Sequence, residues 1–288
     1  DIVDKESCLN YARVKQINGV LTAATDYGVL TAAYIAREMN LPGLSYDVAR
    51  MLRDKYLVRK RLHEAGLQCV SQFYQVASPY DVDRLKTRIR FPVIVKPCDG
   101  SGSRAVERVN DVEALDLACS NAMRTSMTGK ALIEDYISGR ETGVEAFVHN
   151  AKCMVLGIMD KHMTEPPCYA ELGHCLPSAA ESLSDIEKVV ERAVESLGVN
   201  FGAVNMDLII TGDNRICIID IGARMGGNLI GSHIIPLGTG IDYMGNLIKA
   251  AVGDPIDIEF SETQCVATRL LALKPGRVSG LPDLKQIS

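Results

Sequence analysis

The run Val204-Asn-Met-Asp-Leu-Ile-Ile-Thr211, the residues Gly212-Asp213-Asn214 and the run Arg215-Ile-Cys-Ile-Ile-Asp-Ile221 constrain this chain more than any other stretch. Both runs alternate like strands, and Gly-Asp-Asn between them is turn chemistry, so the segment reads as a β-hairpin. With Gly212 to Arg215 as a four-residue loop, Asp207 faces Asp220 across the ladder. Their Cβ atoms would then lie about 5 Å apart, a pairing that like charges disfavour. A divalent cation removes that repulsion, and carboxylates with nucleotide phosphates are the usual holders of Mg2+. On that reading Asp220→Asn weakens Mg2+-dependent nucleotide binding while relieving strain in the free protein. The alternative is that one Asp faces solvent and the pair never meets.

At 288 residues the chain is long enough for two or three lobes. Hydrophobic residues at 47% and charged residues at 23% are ordinary for a soluble globular protein. A net charge of −5, with no Lys/Arg-rich run, argues against a nucleic-acid partner. No apolar stretch approaches a membrane span, so no membrane partner is expected. The nine cysteines include no CxxC and read as reduced thiols of a cytoplasmic protein. Cys168, His174 and Cys175, with His162 nearby, fit no familiar zinc spacing.

Along the chain, Gly19–Thr22 reads as a short strand and Tyr27–Met39 as a helix, the late part of a parallel α/β unit. This expects further residues before Asp1 and after Ser288 that complete an acceptor pocket. A helix is expected from about Ser45 to Ala65, stopped by Gly66. A strand region at Val70–Val76 leads to a Ser78-Pro79 helix start and a basic helix ending near Arg90. The strand Phe91–Lys96 feeds a glycine loop, Ala105–Val109 returns as a strand, and a helix runs from about Asp111 to Arg124. After a loop at 125–130 come the strand Ala131–Asp135 and a hairpin of Gly143–His149 with Cys153–Met159. The helix Asp185–Leu197 carries a clear apolar stripe, with Ser184 and Glu187 as a capping box and Gly198 as its stop. Cys265–Leu273 is a further strand-like run before Lys274-Pro-Gly276.

Two more segments carry chemistry. In Lys96-Pro-Cys-Asp-Gly-Ser-Gly-Ser-Arg104, Gly100 and Gly102 allow positive φ, so the amides of Gly100, Ser101, Gly102 and Ser103 can turn towards an anion. Lys96 adds a mobile positive charge at the strand end. No Gly-Lys-Ser/Thr follows, so this is not a Walker A loop. It matches a loose dinucleotide fingerprint but continues as a strand where that fingerprint needs a helix. A flap over phosphates fits better than that, with a plain hairpin turn as the bland option. In Ala131-Leu-Ile-Glu-Asp-Tyr-Ile-Ser-Gly-Arg-Glu141, Glu134 could accept from an adenine amino group. The backbone of Asp135, Tyr136 and Ile137 could meet the ring edge, and Glu141 the ribose hydroxyls. Read without context, these are exposed acids at a strand end.

In order, these segments resemble the ATP-grasp enzymes, most nearly the carbamoyl-phosphate-synthetase-like and carboxylate–amine ligase branches, over about Ser45 to Gly253. Asp54-Lys55-Tyr56 sits where that family has a phosphate-contacting lysine, and Phe91–Lys96 is similar to its phosphate-lysine strand. Asp99–Arg104 is similar to its flap, and Ile133–Glu141 to its adenine and ribose hinge. The resemblance places Asp207 and Asp220 on the two metal carboxylates and Arg224 near the transferred phosphoryl group. The family usually has Asn two residues after the second carboxylate, which is itself more often Glu, and here Gly222 and Asp220 stand instead. Metal binding is then weaker, or completed by water or another side chain.

The resemblance implies an α/β protein with α+β lobes: an ATP-grasp fold behind a partial N-terminal parallel α/β domain. Its expected parts are 1–44, that partial domain; 45–130, the lobe with the glycine flap; 131–255, the lobe with the metal carboxylates; and 256–288, the start of a C-terminal domain. It further implies ATP and Mg2+, with Mn2+ as an alternative ion, and ligation of a small-molecule carboxylate to an amine or ammonia through an acyl phosphate. Arg224 and Lys96 would serve catalysis. Lys55, Lys96, the flap and Glu134 to Ile137 with Glu141 would bind nucleotide. A homodimer is an open option. A non-catalytic ATP-binding module is the main alternative, and an NAD(P)-dependent oxidoreductase a distant one resting on the glycine pattern. Lys161-His162, Glu171–His174 and His233 lie in segments that could reach the acceptor.

Overall fold

Two antiparallel sheets face each other across a cleft in the computed structural model, which describes residues 1–261 except 68 and 165–168, together with 264–272, 276–277 and 280. Helices α1 (Lys5–Lys15) and α2 (Val29–Met39) come first, with Leu9, Ala12 and Ile35 packed between them. The sequence reading gave no helix over 5–15. The expected strand at Gly19–Thr22 is not formed: residues 17–22 are irregular, with a bend at Asn18, and no ladder among the described residues includes them. A strand needs a neighbour to take its backbone groups, and here the packing is by side chains, with Val20 on the α1–α2 cluster and Leu21 on the core beneath the larger sheet.

The helix expected over 45–65 is two, α3 (Tyr46–Leu52) and α4 (Lys55–Glu64). Asp54 makes the break: its Oδ1 accepts from the amides of Tyr56 at 2.9 Å and Leu57 at 3.3 Å and so caps α4. Lys55 thereby opens a helix, and its own amide donates to Cys98 O at 2.8 Å.

The smaller sheet has the order β1-β4-β2-β3, from β1 (Phe73–Val76), β2 (Val93–Pro97), β3 (Glu107–Val109) and β4 (Ala131–Asp135). Helices α5 (Pro79–Leu85) and α6 (Leu115–Thr125) cover one face over Val93, Val95, Ala131 and Ile133. Ser78 caps α5 as expected, but α5 stops at Leu85, short of Arg90.

The larger sheet contains β5 (Arg140–His149), β6 (Lys152–Met163), β7 (Glu171–Leu176), β8 (Gly202–Ile210), β9 (Ile216–Gly222) and β10 (Val266–Arg269), in the order β10-β7-β6-β5-β8-β9. β7 had no counterpart in the sequence reading. β10 falls in the segment assigned above to a C-terminal start and pairs with β7; Leu273 and Lys274-Pro275 lie outside the described residues. Helix α7 (Leu183–Leu197) lays Ile186, Val190, Ala193, Val194 and Leu197 on one face of this sheet, beside α4. Gly198 ends α7 at φ 69°, but the capping box is not formed: Ser184 lies inside the helix, which begins after Ser182. On the other face pack α8 (Ile235–Thr239) and α9 (Tyr243–Val252).

One acid lies within this second core. Glu145 of β5 is fully buried, its Oε1 accepting from Asn205 Nδ2 at 2.7 Å and the Gly226 amide at 2.8 Å, with Oε2 2.9 Å from the Tyr243 hydroxyl. Burial pushes its pKa from 4.5 up to about 8. The neutral acid is well placed, because Tyr243 can accept from it while donating to Ala146 O at 3.0 Å. A carboxyl whose pKa is raised by folding stabilises the fold below its unfolded value and loses that contribution as pH rises through the folded one. Stability is therefore expected to decline between about pH 4.5 and 8 on this account, and Glu145→Gln to flatten the decline in chemical denaturation across that range. An equally steep decline in the variant would contradict the assignment.

Candidate active site

Asp207 pairs with Asp220, as the sequence reading expects, but by another route. The loop is one residue longer than assumed, Ile210 pairing with Ile216, which by itself would set Asp207 against Ile219. A β-bulge at Ile219 restores the register, so the two carboxylates meet and Ile219 becomes the unpaired residue. Its carbonyl accepts from Lys96 Nζ at 3.3 Å and Arg59 at 3.4 Å.

Each aspartate has a lysine. Lys55 Nζ lies 2.5 Å from Asp220 Oδ2, and Lys161 Nζ lies 2.8 Å from Asp207 and 2.7 Å from Glu171. Withdrawal from water opposes charge on Lys55, yet Asp220 outweighs it and holds the ammonium above its ordinary pKa. The reciprocal effect of Lys55, with Lys96, keeps Asp220 below the usual carboxylate range. This corrects one expectation: Asp220→Asn leaves Lys55 without its partner instead of relieving strain in the free protein.

Glu134 and Lys96 form the second charged cluster. Glu134, 3% exposed, meets Lys96 Nζ at 2.6 Å and Arg59 Nε at 2.8 Å. These cations overcome burial and hold its pKa below the ordinary value. Both carboxylate oxygens are thus engaged by cations. Arg59 escaped the sequence reading, although it lies one helical turn after Lys55 and so shares its face. Asp135 turns to Ser71, accepting from its amide and hydroxyl, and the Tyr136 amide donates to Pro92 O at 3.2 Å.

The glycine segment is a turn leading to β3, with no helix after it, so the context a dinucleotide fingerprint needs is missing. Gly100 at φ 111°, Gly102 at 72° and Ser103 at 53° give the backbone its left-handed steps. Asp99, the first residue of the flap segment, anchors the base of the turn by accepting from Ser126 Oγ at 2.6 Å and from the amides of Met127 and Thr128, each at 3.0 Å.

One cleft of about 250 Å3 is lined by Lys55, Lys96, Gly100 to Ser103, Glu134 to Ile137, Glu141, Asp207 and Asp220. Arg224 instead lines an adjoining recess, where its guanidinium pairs with Asp26. Lys161 and Glu171 reach the cleft, whereas His162 contacts Cys175 Sγ at 3.2 Å and His233 contacts Ser232. His174 is fully buried in β7. Cys168 lies outside the described residues, and among those described no three His, Cys, Asp or Glu cluster as a metal site. The described cysteines are all free. No helix among the described residues is long and apolar enough to cross a membrane.

Comparison with known proteins converges on one family. The ATP-grasp domain matches residues 89–232. An uncharacterized protein y4rH of Sinorhizobium fredii is 25% identical, covering 88% of this chain and 53% of its own length. The carbamoyl phosphate synthase large chain of Thermoanaerobacter pseudethanolicus is 23% identical, over 78% of this chain and 21% of that protein. The chain thus spans about half or less of these curated relatives. Among solved structures, an L-amino acid ligase from Bacillus licheniformis superposes with a TM-score of 0.75 at 25% identity, over 86% of this chain and 60% of that one. With its two antiparallel sheets and the charged cleft between them, the chain belongs to the ATP-grasp family.

Proposed function

We propose that the protein is an ATP-dependent carboxylate–amine or carboxylate–ammonia ligase. The observation that carries this reading is the facing pair Asp207 and Asp220, set between Lys55, Lys96 and the glycine flap and opening onto the Arg224 recess. The ligases and synthases among similar proteins support it.

ATP would lie along the cleft, its base towards the β4–β5 connection and its phosphates under the flap. With the amides of Asp135 and Tyr136 already donating within the protein, the backbone from Ile137 onward is left for the ring edge. Glu141 stands in the cleft for the ribose. Two facing carboxylates suit Mg2+, which when bound with phosphate oxygens would neutralise phosphate charge. Lys55 and Lys96 rest on Asp220 and Glu134, so arriving phosphates offer them new anions without leaving a cation bare.

The acceptor carboxylate attacks the γ-phosphorus, the bond to the β-phosphate oxygen breaks, and ADP leaves with that electron pair. An amine then attacks the acyl carbon, inorganic phosphate departs with the C–O pair, and the new ammonium loses a proton to give an amide. Arg224 would stabilise charge on the transferring group, and such donors are worth roughly 10²–10³ in rate. Positioning and charge stabilisation suffice, so no nucleophile triad is required.

A nucleotide-binding module without turnover is the second reading, favoured by Gly222 where the family usually carries Asn. ADP release against a panel of small carboxylates with ammonia and amines separates the two. Release dependent on both acceptors is expected, with Arg224→Gln lowering the rate by roughly 10²-fold or more. ATP and Mg2+ binding with no release for any pair would select the module. Amide hydrogen exchange at residues 100–104 is also expected to slow when ATP and Mg2+ are added, because no apolar side chain at Gly100, Ser101 or Gly102 anchors the turn. Unchanged exchange in saturating nucleotide would remove the flap from phosphate binding.

A further inference from the structure

The recess beside the cleft is lined by an acid and a base already paired with each other. Arg224 donates through Nε to Asp26 Oδ1 at 3.0 Å and through Nη2 to Asp26 Oδ2 at 3.1 Å. Its Nη1 donates to Asn205 Oδ1 at 3.1 Å and Met225 O at 3.0 Å. Four of the five guanidinium protons are therefore placed, and one Nη2 proton remains. Neither partner is sealed off: the side chains keep 18% exposure for Arg224 and 32% for Asp26. The Met225 amide donates to Ala23 O at 2.8 Å, tying the segment before Asp26 to the residues after β9.

Gly222 leaves room for this arrangement. A Cβ there would lie 3.0 Å from Asp26 Oδ1 and 3.2 Å from Arg224 Cζ. A carboxylate from a distant part of the chain thus lies against the position from which a side chain at residue 222 would start.

The recess shares Lys55, Gly100, Asp207 and Asp220 with the nucleotide cleft, and its further lining includes Val29, Leu30, Ala49, Leu52 and a second arginine, Arg53, which donates to Met127 Sδ. A group in it therefore lies next to the phosphate end of the cleft. The Asp26–Arg224 pair sums to zero, and Arg53 adds a further positive charge to the lining. A simple carboxylate taking Arg224 would set its own charge against Asp26, and a simple amine taking Asp26 would leave Arg224 unpaired. A zwitterion avoids both costs by inserting between them, its carboxylate on Arg224 and its ammonium on Asp26.

We propose that this recess selects a small α-amino acid as the carboxylate acceptor, with Asp26 the specificity-determining residue for its ammonium group. The assignment rests on the ligase reading above and names the substrate class for that site. Size agrees: the recess has a volume of about 60 Å3, which suits a small acceptor. The apolar wall favours a short apolar side chain.

Calorimetric titration of the protein, saturated with a non-hydrolysable ATP analogue and Mg2+, compares L-alanine with propionate and ethylamine. Alanine is expected to bind at least about tenfold tighter than either, since each one-charged analogue loses a charged hydrogen-bonding arm. Asp26→Asn is expected to bring alanine and propionate within about threefold of each other by weakening alanine and relieving repulsion of propionate. Circular dichroism checks that the variant is folded, and should it not fold, the wild-type ratio alone decides. Propionate binding as tightly as alanine to the wild type, or an unchanged ratio in the folded variant, overturns the proposal. ADP release reports separately on the parent reading. Release with both acids at equal affinity keeps the ligase and removes the selectivity, whereas selective alanine binding without release keeps the recess and removes the ligase.

Discussion

The cleft depends on the bulge at Ile219. One extra residue in β9 turns a register that would have opposed Asp207 with Ile219 into one that opposes Asp207 with Asp220. The same irregularity frees the Ile219 carbonyl, which takes Lys96 and Arg59. Two neighbouring carboxylates would otherwise repel, and the protein answers with Lys55 on one and Lys161 on the other. Glu134, between Lys96 and Arg59, repeats the pattern. Each of these charges therefore has a partner of opposite sign before any ligand arrives.

Such a wall suits a site that must accept a highly charged nucleotide. Phosphates can take over lysines already in place, and the aspartates so released can take a cation. The helix break at Asp54 serves the same end, because capping α4 puts Lys55 at its first position and Arg59 one turn later on the same face. Lys55 then meets Asp220 of β9, and Arg59 meets Glu134 of β4 and the Ile218 carbonyl of β9. The second core holds the recess from below: Glu145 fixes Asn205 and the Gly226 amide, and Asn205 in turn accepts from Arg224.

Much of this was legible in the sequence because it is local. The stripe of α7, the stop at Gly198, the β5–β6 hairpin and the strand β4 follow from periodicity and turn residues within a few positions. The Asp207–Asp220 pairing was reached through two departures that cancel, a longer loop and a bulge, and a bulge carries no composition of its own. Residues 19–22 show the opposite case. Their apolar run has strand character, but strand formation depends on a partner that periodicity does not report. Arg59 with Glu134 and Asp26 with Arg224 are 75 and 198 positions apart, so neither pairing could be read along the chain. Gly222 looked like a missing ligand when read beside Asp220, and only the fold reveals the Asp26 carboxylate that lies against it.

The central claim is that Asp207 and Asp220 act together on the cation that accompanies the nucleotide. Its most direct test is electron paramagnetic resonance titration of Mn2+ in the presence of ATP, on the wild type, Asp207→Asn and Asp220→Asn. Loss of either carboxylate should weaken Mn2+ at least as much as the roughly 10–100-fold that loss of a metal ligand's own hydrogen-bond partner costs. Wild-type Mn2+ affinity in both folded variants would contradict the account.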